Sequence, residues 1–333
     1  MSLGMEPGTT VRRSKVAVLM IALALAAAAT GLSQGEGREA PAAVAVDQPA
    51  LTWSAIRLRA RKFLLSASTE LSVKHAPAAV VADELRQTGG DGAAAVSPGA
   101  RVAVVTLYSS LPFGRREQTT AWLDGDSGAA LQTEKLKTGG RPYWKLRRYL
   151  SGGYHQWRSE PASDQEKGGQ SEHWSRRSER LVQWDMTPSD GAVVTDSYAL
   201  LYLLAVHRLD RQGTRLRLCV SSETKLIEAE FVAGAASEVD ADFEEVRPDG
   251  SLRRRKGPLR VRTVVGSGRL LGSEAGSESV DLGLLGMSGQ VTVLLEEGTG
   301  LPVEVRGHTE DIGSLTVKLD QVRLGSPAGE WGE

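Results

Sequence analysis

A single cysteine, Cys219, stands in 333 residues. No internal disulfide can form, and a zinc site built from several thiolates is excluded. Cys219 sits between Leu218 and Val220 in an alternating stretch, where a lone thiol is more often a packing residue than a nucleophile. Charge of one sign is lacking as well. The formal net charge is −1, so no global field favours nucleic acid or an acidic membrane. Local basic clusters (Arg57, Arg59, Arg61 and Lys62; Arg147 and Arg148; Arg253 to Lys256) are balanced by acidic residues elsewhere and read as solvated strand faces or loops. None of the five histidines has another four residues away, so a helical zinc pair is absent. Glu172-His173 and His308-Thr309-Glu310-Asp311 read as ordinary surface positions. There is no Gly-x-Ser-x-Gly nucleophile elbow. Gly266-Ser267-Gly268 has the wrong continuation for a phosphate loop and precedes no helical pattern. These absences leave no metal, cofactor or catalytic residue to name, and a non-enzymatic protein is expected.

Long hydrophobic runs are confined to the N-terminus. Arg12, Arg13 and Lys15 precede the unbroken apolar run Val16 to Ala29, and Ala27-Ala28-Ala29 offers small residues for a signal peptidase. Residues 1–32 therefore read as an export signal or an N-terminal anchor, and residues 33–50, without periodicity, as a flexible leader. No Cys follows the run, so a lipoprotein anchor is not encoded. The expected location is periplasmic or otherwise exported, with membrane contact only through the N-terminal segment and no nucleic-acid partner.

From Leu51 onward the dominant pattern has a period of two. Ile56, Leu58 and Ala60 alternate with arginines, Leu216 and Leu218 with Arg215 and Arg217, Leu315, Val317 and Leu319 with polar residues. Gly-rich and Asp-rich turns at 124–128, 138–142 and 151–153 join such stretches, and short connections imply antiparallel neighbours. Ala78 to Leu85 suggests a short helix. Val246 to Lys256 reads as a charged hairpin with Pro248-Asp249-Gly250 at its tip. Residues 159–180, polar apart from Trp174, read as a long mobile loop. The expected organisation is one β-rich domain over 51–325 and a tail at 326–333.

One stretch departs from the period. Asp196 to Val206 reads as a short helix, capped by Thr195 or Asp196 and free of Gly and Pro. It is apolar all round, which implies cover on every side, and it is too short to span a bilayer. Strands with one apolar face need something to cover it. A curled antiparallel meander, half-barrel-like and wrapped around this central helix, meets that need; the fold class is mainly β.

The order of these segments, with a mid-chain helix starting at an Asp and the terminal hairpin Leu294 to Val305 around Leu301-Pro302-Val303, resembles secreted bacterial proteins of the domain-of-unknown-function family 3108. The likeness runs from about Trp122 to Leu324 and leaves residues 51–121 outside. That family is similar in architecture to the Lol-type lipoprotein carriers, whose half-barrel holds acyl chains. The resemblance implies a binder of a hydrophobic ligand, a lipid or lipoprotein-like molecule, or of an envelope partner. Tyr198, Leu201 and Tyr202 share one helical face, and Trp122, Trp144 and Trp157 pair an apolar body with a polar tip; these six are the candidate ligand-binding residues. A packed envelope scaffold is the alternative, and an unrecognised hydrolase the third reading. A large apolar cavity favours a binder, a filled core a scaffold.

Overall fold

The alternating segments become strands. β1 (Trp53–Lys62), β2 (Leu65–Pro77), β3 (Arg101–Leu111), β4 (Arg115–Asp124), β5 (Ala130–Thr138), β6 (Tyr143–Leu150), β7 (Gly153–Glu160) and β8 (Arg176–Gln183) form an antiparallel meander. A short helix, α1 (Ala78–Val81), interrupts it between β2 and β3. Next come β9 (Val194–Asp196), α2 (Leu200–His207), β10 (Arg215–Ser222), β11 (Lys225–Val246), β12 (Leu252–Leu270), β13 (Ser288–Glu296), β14 (Pro302–Thr309) and β15 (Gly313–Leu324). The structure, a computed structural model, describes residues 51–62, 65–88, 94–186, 188, 192–222, 224–273, 280–310 and 313–327. The expected export segment, the leader and residues 328–333 of the tail lie outside them.

Among the described residues, all fifteen strands belong to one sheet in the order β8-β7-β6-β5-β4-β3-β2-β1-β15-β14-β13-β12-β11-β10-β9. Two meanders are thus joined through β1 and β15, which pair antiparallel from Trp53↔Leu324 to Ala60↔Val317. Arg57 and Arg59 of β1 both reach Asp320 of β15, at 2.7 and 2.9 Å. Residues 51–121, which fell outside the family resemblance, supply the centre of the sheet. The expected all-antiparallel pattern needs correction at two places: β9 runs parallel to β10, and the end of β11 parallel to β15. The first is possible because α2 provides the crossover that a parallel neighbour requires.

The alternation places one set of side chains in a common core. The largest buried cluster draws on β1 to β4, on Tyr149, Tyr154 and Val182 from β6 to β8, and on β10 to β15. Helix α2 sits within this same cluster, and each residue from Leu200 to Val206 is at most 3% exposed. A helix without a wet stripe is therefore covered on every side, as its composition requires. The expected single helix is shorter and in two parts. Asp196 caps a 3-10 turn, Ser197–Ala199, by accepting a hydrogen bond from the Tyr198 amide at 3.0 Å, and α2 follows. The helix ends at Arg208, in the left-handed region at φ 37°.

The long loop expected at 159–180 is a correction too. Two 3-10 turns, Glu166–Gly168 and Ser171–His173, precede β8, and Ser159 pairs in register with Arg177. Trp174 is buried against Trp144 and Leu146, and its indole N–H donates to the Glu166 carbonyl at 2.6 Å. β8 escaped notice because it is an edge strand: six of its eight residues from Arg176 are exposed in a row, so no apolar alternation marks it. A charged edge of this kind resists pairing with another chain. Strands β11 and β12 are also longer than the separate short segments expected, at 22 and 19 residues, with the expected turn at Gly250 between them.

Candidate functional site

A polar seam forms where two distant parts of the sheet face each other. β5 and β6 lie near one end of the strand order, β9 and β10 at the other. Among the described residues, three hydrogen bonds cross the seam. The Asp196 carboxylate accepts from Thr133 Oγ1 at 2.9 Å and from Tyr149 OH at 2.5 Å, and Lys135 Nζ donates to Tyr198 OH at 3.0 Å. Asp196 thus caps the turn with one oxygen and ties β5 and β6 with the other. Burial and the nearby carboxylate push the Tyr149 hydroxyl well above its ordinary pKa, so Tyr149 stays a donor.

Beside these bonds lies a cleft of about 130 Å³. Thr133 and Lys135 of β5, Lys145 and Arg147 of β6, Asp196, Ser197 and Tyr198, and Ser221 and Ser222 at the end of β10 line it. The period of two explains the lining. Residues 133, 135, 145 and 147 point into the cleft, while Trp144 and Leu146 point to the other face, where the Trp144 indole N–H donates to Glu134 at 2.6 Å.

The cationic register is unusual for a sheet. Lys135 stands directly opposite Lys145, and Lys145 opposite Arg158 on the next strand. Like charges opposed across strands are destabilising. Two of these cations are compensated: Lys135 meets Glu117 at 2.8 Å and Arg158 meets Glu160 at 2.7 Å. Burial alone lowers the pKa of Lys135, but the Tyr198 hydroxyl and Glu117 outweigh it and hold the ammonium above its ordinary value. Arg147 lies over the Tyr154 ring at 4.6 Å. Lys145 has no ion pair and no hydrogen bond among the described residues. Burial first, then Arg147 and Lys135, draw its pKa down to about 8, against the opposing pull of Asp196. Ser221 adds a second unsatisfied group. It is 4% exposed, and its Oγ has no hydrogen-bond partner among the described residues. A buried hydroxyl left so costs about 1–3 kcal/mol unless something polar meets it.

The six candidate residues do not converge. Tyr198 lines the cleft. Leu201 and Tyr202 are in the main core, with the Tyr202 hydroxyl 3.2 Å from His75 Nε2. Trp122 belongs to a second cluster with Val81 and Leu131, and its indole N–H donates to Glu84 at 2.8 Å. Trp144 and Trp157 belong to the third cluster, and Trp157 stacks on His155 at 4.1 Å between ring centres. The residues that sequence reasoning missed are Lys135, Lys145, Arg147, Asp196 and Ser221. A signal existed for three of them. Counting outward from the turn at 138–142 sets Lys135 opposite Lys145 and Thr133 opposite Arg147. Among the described residues, no group of three or more His, Cys, Asp or Glu could hold a metal. Nor is any described helix long and apolar enough to cross a membrane.

No protein-family model matches the chain, and no curated protein matches it in sequence. The resemblance to family 3108 is therefore unsupported by a family match. Among solved structures, a β-barrel-like protein of the domain of unknown function DUF1849 from Brucella abortus aligns over 84% of this chain and 99% of its own length. The TM-score is 0.41 and the identity 9%, a likeness that assigns neither a site nor a function.

Proposed function

We propose that this chain is an exported, non-enzymatic binding protein whose seam holds the anionic group of its ligand, a phosphate or a carboxylate. The observation that carries the reading is Lys145: an ammonium that has no ion-pair partner among the described residues, in a cleft that also holds Lys135, Arg147 and the Ser221 hydroxyl, itself unsatisfied among them. Sheets avoid opposed cations unless an anion rewards them. At about 130 Å³ the cleft is smaller than the roughly 300–1,000 Å³ of drug-sized ligand sites, so it suits a head group rather than a whole amphiphile. In this reading the half-barrel curls around α2, and the helix takes the space that an acyl chain occupies in a Lol-type carrier. An enzymatic reading has less support, because Lys145 makes no hydrogen bond to Ser197, Ser221 or Ser222 among the described residues and so forms no nucleophile–base pair with them.

A second reading, a packed envelope scaffold, draws on the buried state of α2. Calorimetric titration separates the two. Inorganic phosphate or an alkyl phosphate should bind the wild type at pH 7, and Lys145→Met should weaken binding at least tenfold. Affinity should fall as pH rises through about 8, where Lys145 loses its proton. No heat of binding with either phosphate would leave the scaffold.

A further inference from the structure

We infer that the hairpin tips around Phe113 form a second contact with the membrane, docking on an anionic lipid surface. The inference does not depend on the anion reading of the seam. Successive strands of the antiparallel meander run in opposite directions, so the end of β1, the β3–β4 turn and the β5–β6 turn lie at one end of the strands. The register keeps them adjacent: Arg61 pairs with Ser66, Ser68 with Ser110, Leu111 with Arg115, and Arg116 with Thr138. A Cβ at Gly140 would lie 3.8 Å from Nε of Arg115, which places the second and third tips side by side.

The β3–β4 tip is built against local preference. Phe113 takes φ 64° and ψ 31°, and Gly114 follows at φ 71°. Two successive left-handed residues suit Asn-Gly in a hairpin turn, whereas a bulky aromatic at the first is a costly choice. The chain nevertheless sets Phe113 there at 87% exposure, the most exposed large hydrophobic residue among those described. Strain that gains no packing points to a role outside the fold.

The surroundings define the partner. Arg61, Arg115, Arg116 and Arg141 are exposed and make no ion pair among the described residues. Glu117, the nearest carboxylate in β4, is already engaged by Lys135 at 2.8 Å and Lys137 at 3.6 Å. Glu310, just after β14, is exposed but makes no ion pair with any of these four arginines among the described residues. Four arginines without an ion pair among the described residues, around an aromatic tip, complement anionic head groups, with the ring at the level where aromatics settle in the interface. Each basic side chain near such a surface strengthens partitioning about fivefold.

The test uses the full chain, labelled with an environment-sensitive NBD dye at Thr138→Cys, because Thr138 is exposed beside Arg116 while Cys219 is buried. Vesicles of phosphatidylcholine with one-third phosphatidylglycerol should brighten the dye and shift its emission to the blue. Vesicles of phosphatidylcholine alone should not, even though the N-terminal segment is present in both. Arg115→Glu with Arg116→Glu should reduce the response at least tenfold. Phe113→Asn should reduce it several-fold without lowering the melting temperature, since Asn suits the turn. The inference is overturned by no response to anionic vesicles, by an equal response to neutral ones, or by a response that both variants leave unchanged.

Discussion

Replacing Lys145 by Met should make the protein more stable and less able to bind. The Lys145 ammonium falls from an ordinary 10.5 to about 8 on folding, which corresponds to roughly 3 kcal/mol of strain on the charged folded state. The side chain is only partly buried, and solvent screening trims the expected gain to about 1–3 kcal/mol. Met keeps the apolar stem that packs along the strand and removes the charge. For a domain of this size each kcal/mol moves the melting midpoint by about 2–4 °C, so the variant should melt several degrees higher at pH 7 without phosphate. The pH dependence has a definite sign. Below about pH 8 Lys145 is charged in both folded and unfolded chains, and the wild type bears the full cost. As pH rises from about 8 toward 10.5 the folded chain releases its proton first, the cost fades, and the two proteins should converge. Phosphate should act oppositely. At a concentration one hundred times its dissociation constant it should stabilise the wild type by about 2.7 kcal/mol and the variant hardly at all. Scanning calorimetry at pH 7 and pH 10, with and without phosphate, reads all of this. A variant that melts lower at pH 7, or that phosphate stabilises as much as the wild type, would refute the reasoning.

Other residues give sharper structural tests. Asp196→Ala should cost about 2–4 kcal/mol, because it removes a cap and strands the buried Tyr149 and Thr133 hydroxyls; urea unfolding measures the loss. Leu204→Ala and Tyr202→Ala should each cost about 2–5 kcal/mol, since both residues are buried in the same cluster, and a small effect of Tyr202→Ala would place that side chain in a cavity. The mature chain should begin between Thr30 and Glu36, as N-terminal sequencing of protein from the native host would report; recovery of Met1 would indicate an anchor.

Much of the β architecture was legible because half-buried strands print a period of two. Ile56, Leu58 and Ala60, or Leu315, Val317 and Leu319, announce both the strand and its buried face. The all-round apolar stretch Leu200 to Val206 announced a covered helix because it leaves no polar stripe for solvent. What escaped notice escaped on physical grounds. β8 is an edge with polar exposure along its length and no inner stripe, so its sequence resembles a loop. β9 is three residues long, too short for any period, and its parallel pairing with β10 depends on where α2 returns the chain. The seam depends on contacts between strands far apart in the order, so Asp196 read as a helix cap and nothing more. Its second role, accepting from Tyr149 and Thr133, comes into being only when β5 and β6 approach. Aromatic residues drew notice as candidate sites, yet Trp122 packs in one cluster and Trp144 and Trp157 in another, away from the seam, while Arg147 read as part of a solvated basic cluster and Lys135 and Lys145 drew no notice.

The junction of the two meanders has a consequence for how the chain folds. β1 is made early and β15 last, and they are neighbours in the finished sheet. Every other antiparallel pair joins strands consecutive in sequence and can zip locally as hairpins. The β1–β15 pair must close a loop of most of the domain, and such distant closure is slow. Until β15 arrives, β1 presents an open edge with Ile56 and Leu58 beside it, a template for pairing with another copy. Arg57 and Arg59 sit on that waiting edge and later meet Asp320. They act as gatekeepers during synthesis and as a docking guide at its end. A chain cut short before Gly313 should therefore accumulate as aggregate rather than as a smaller folded protein.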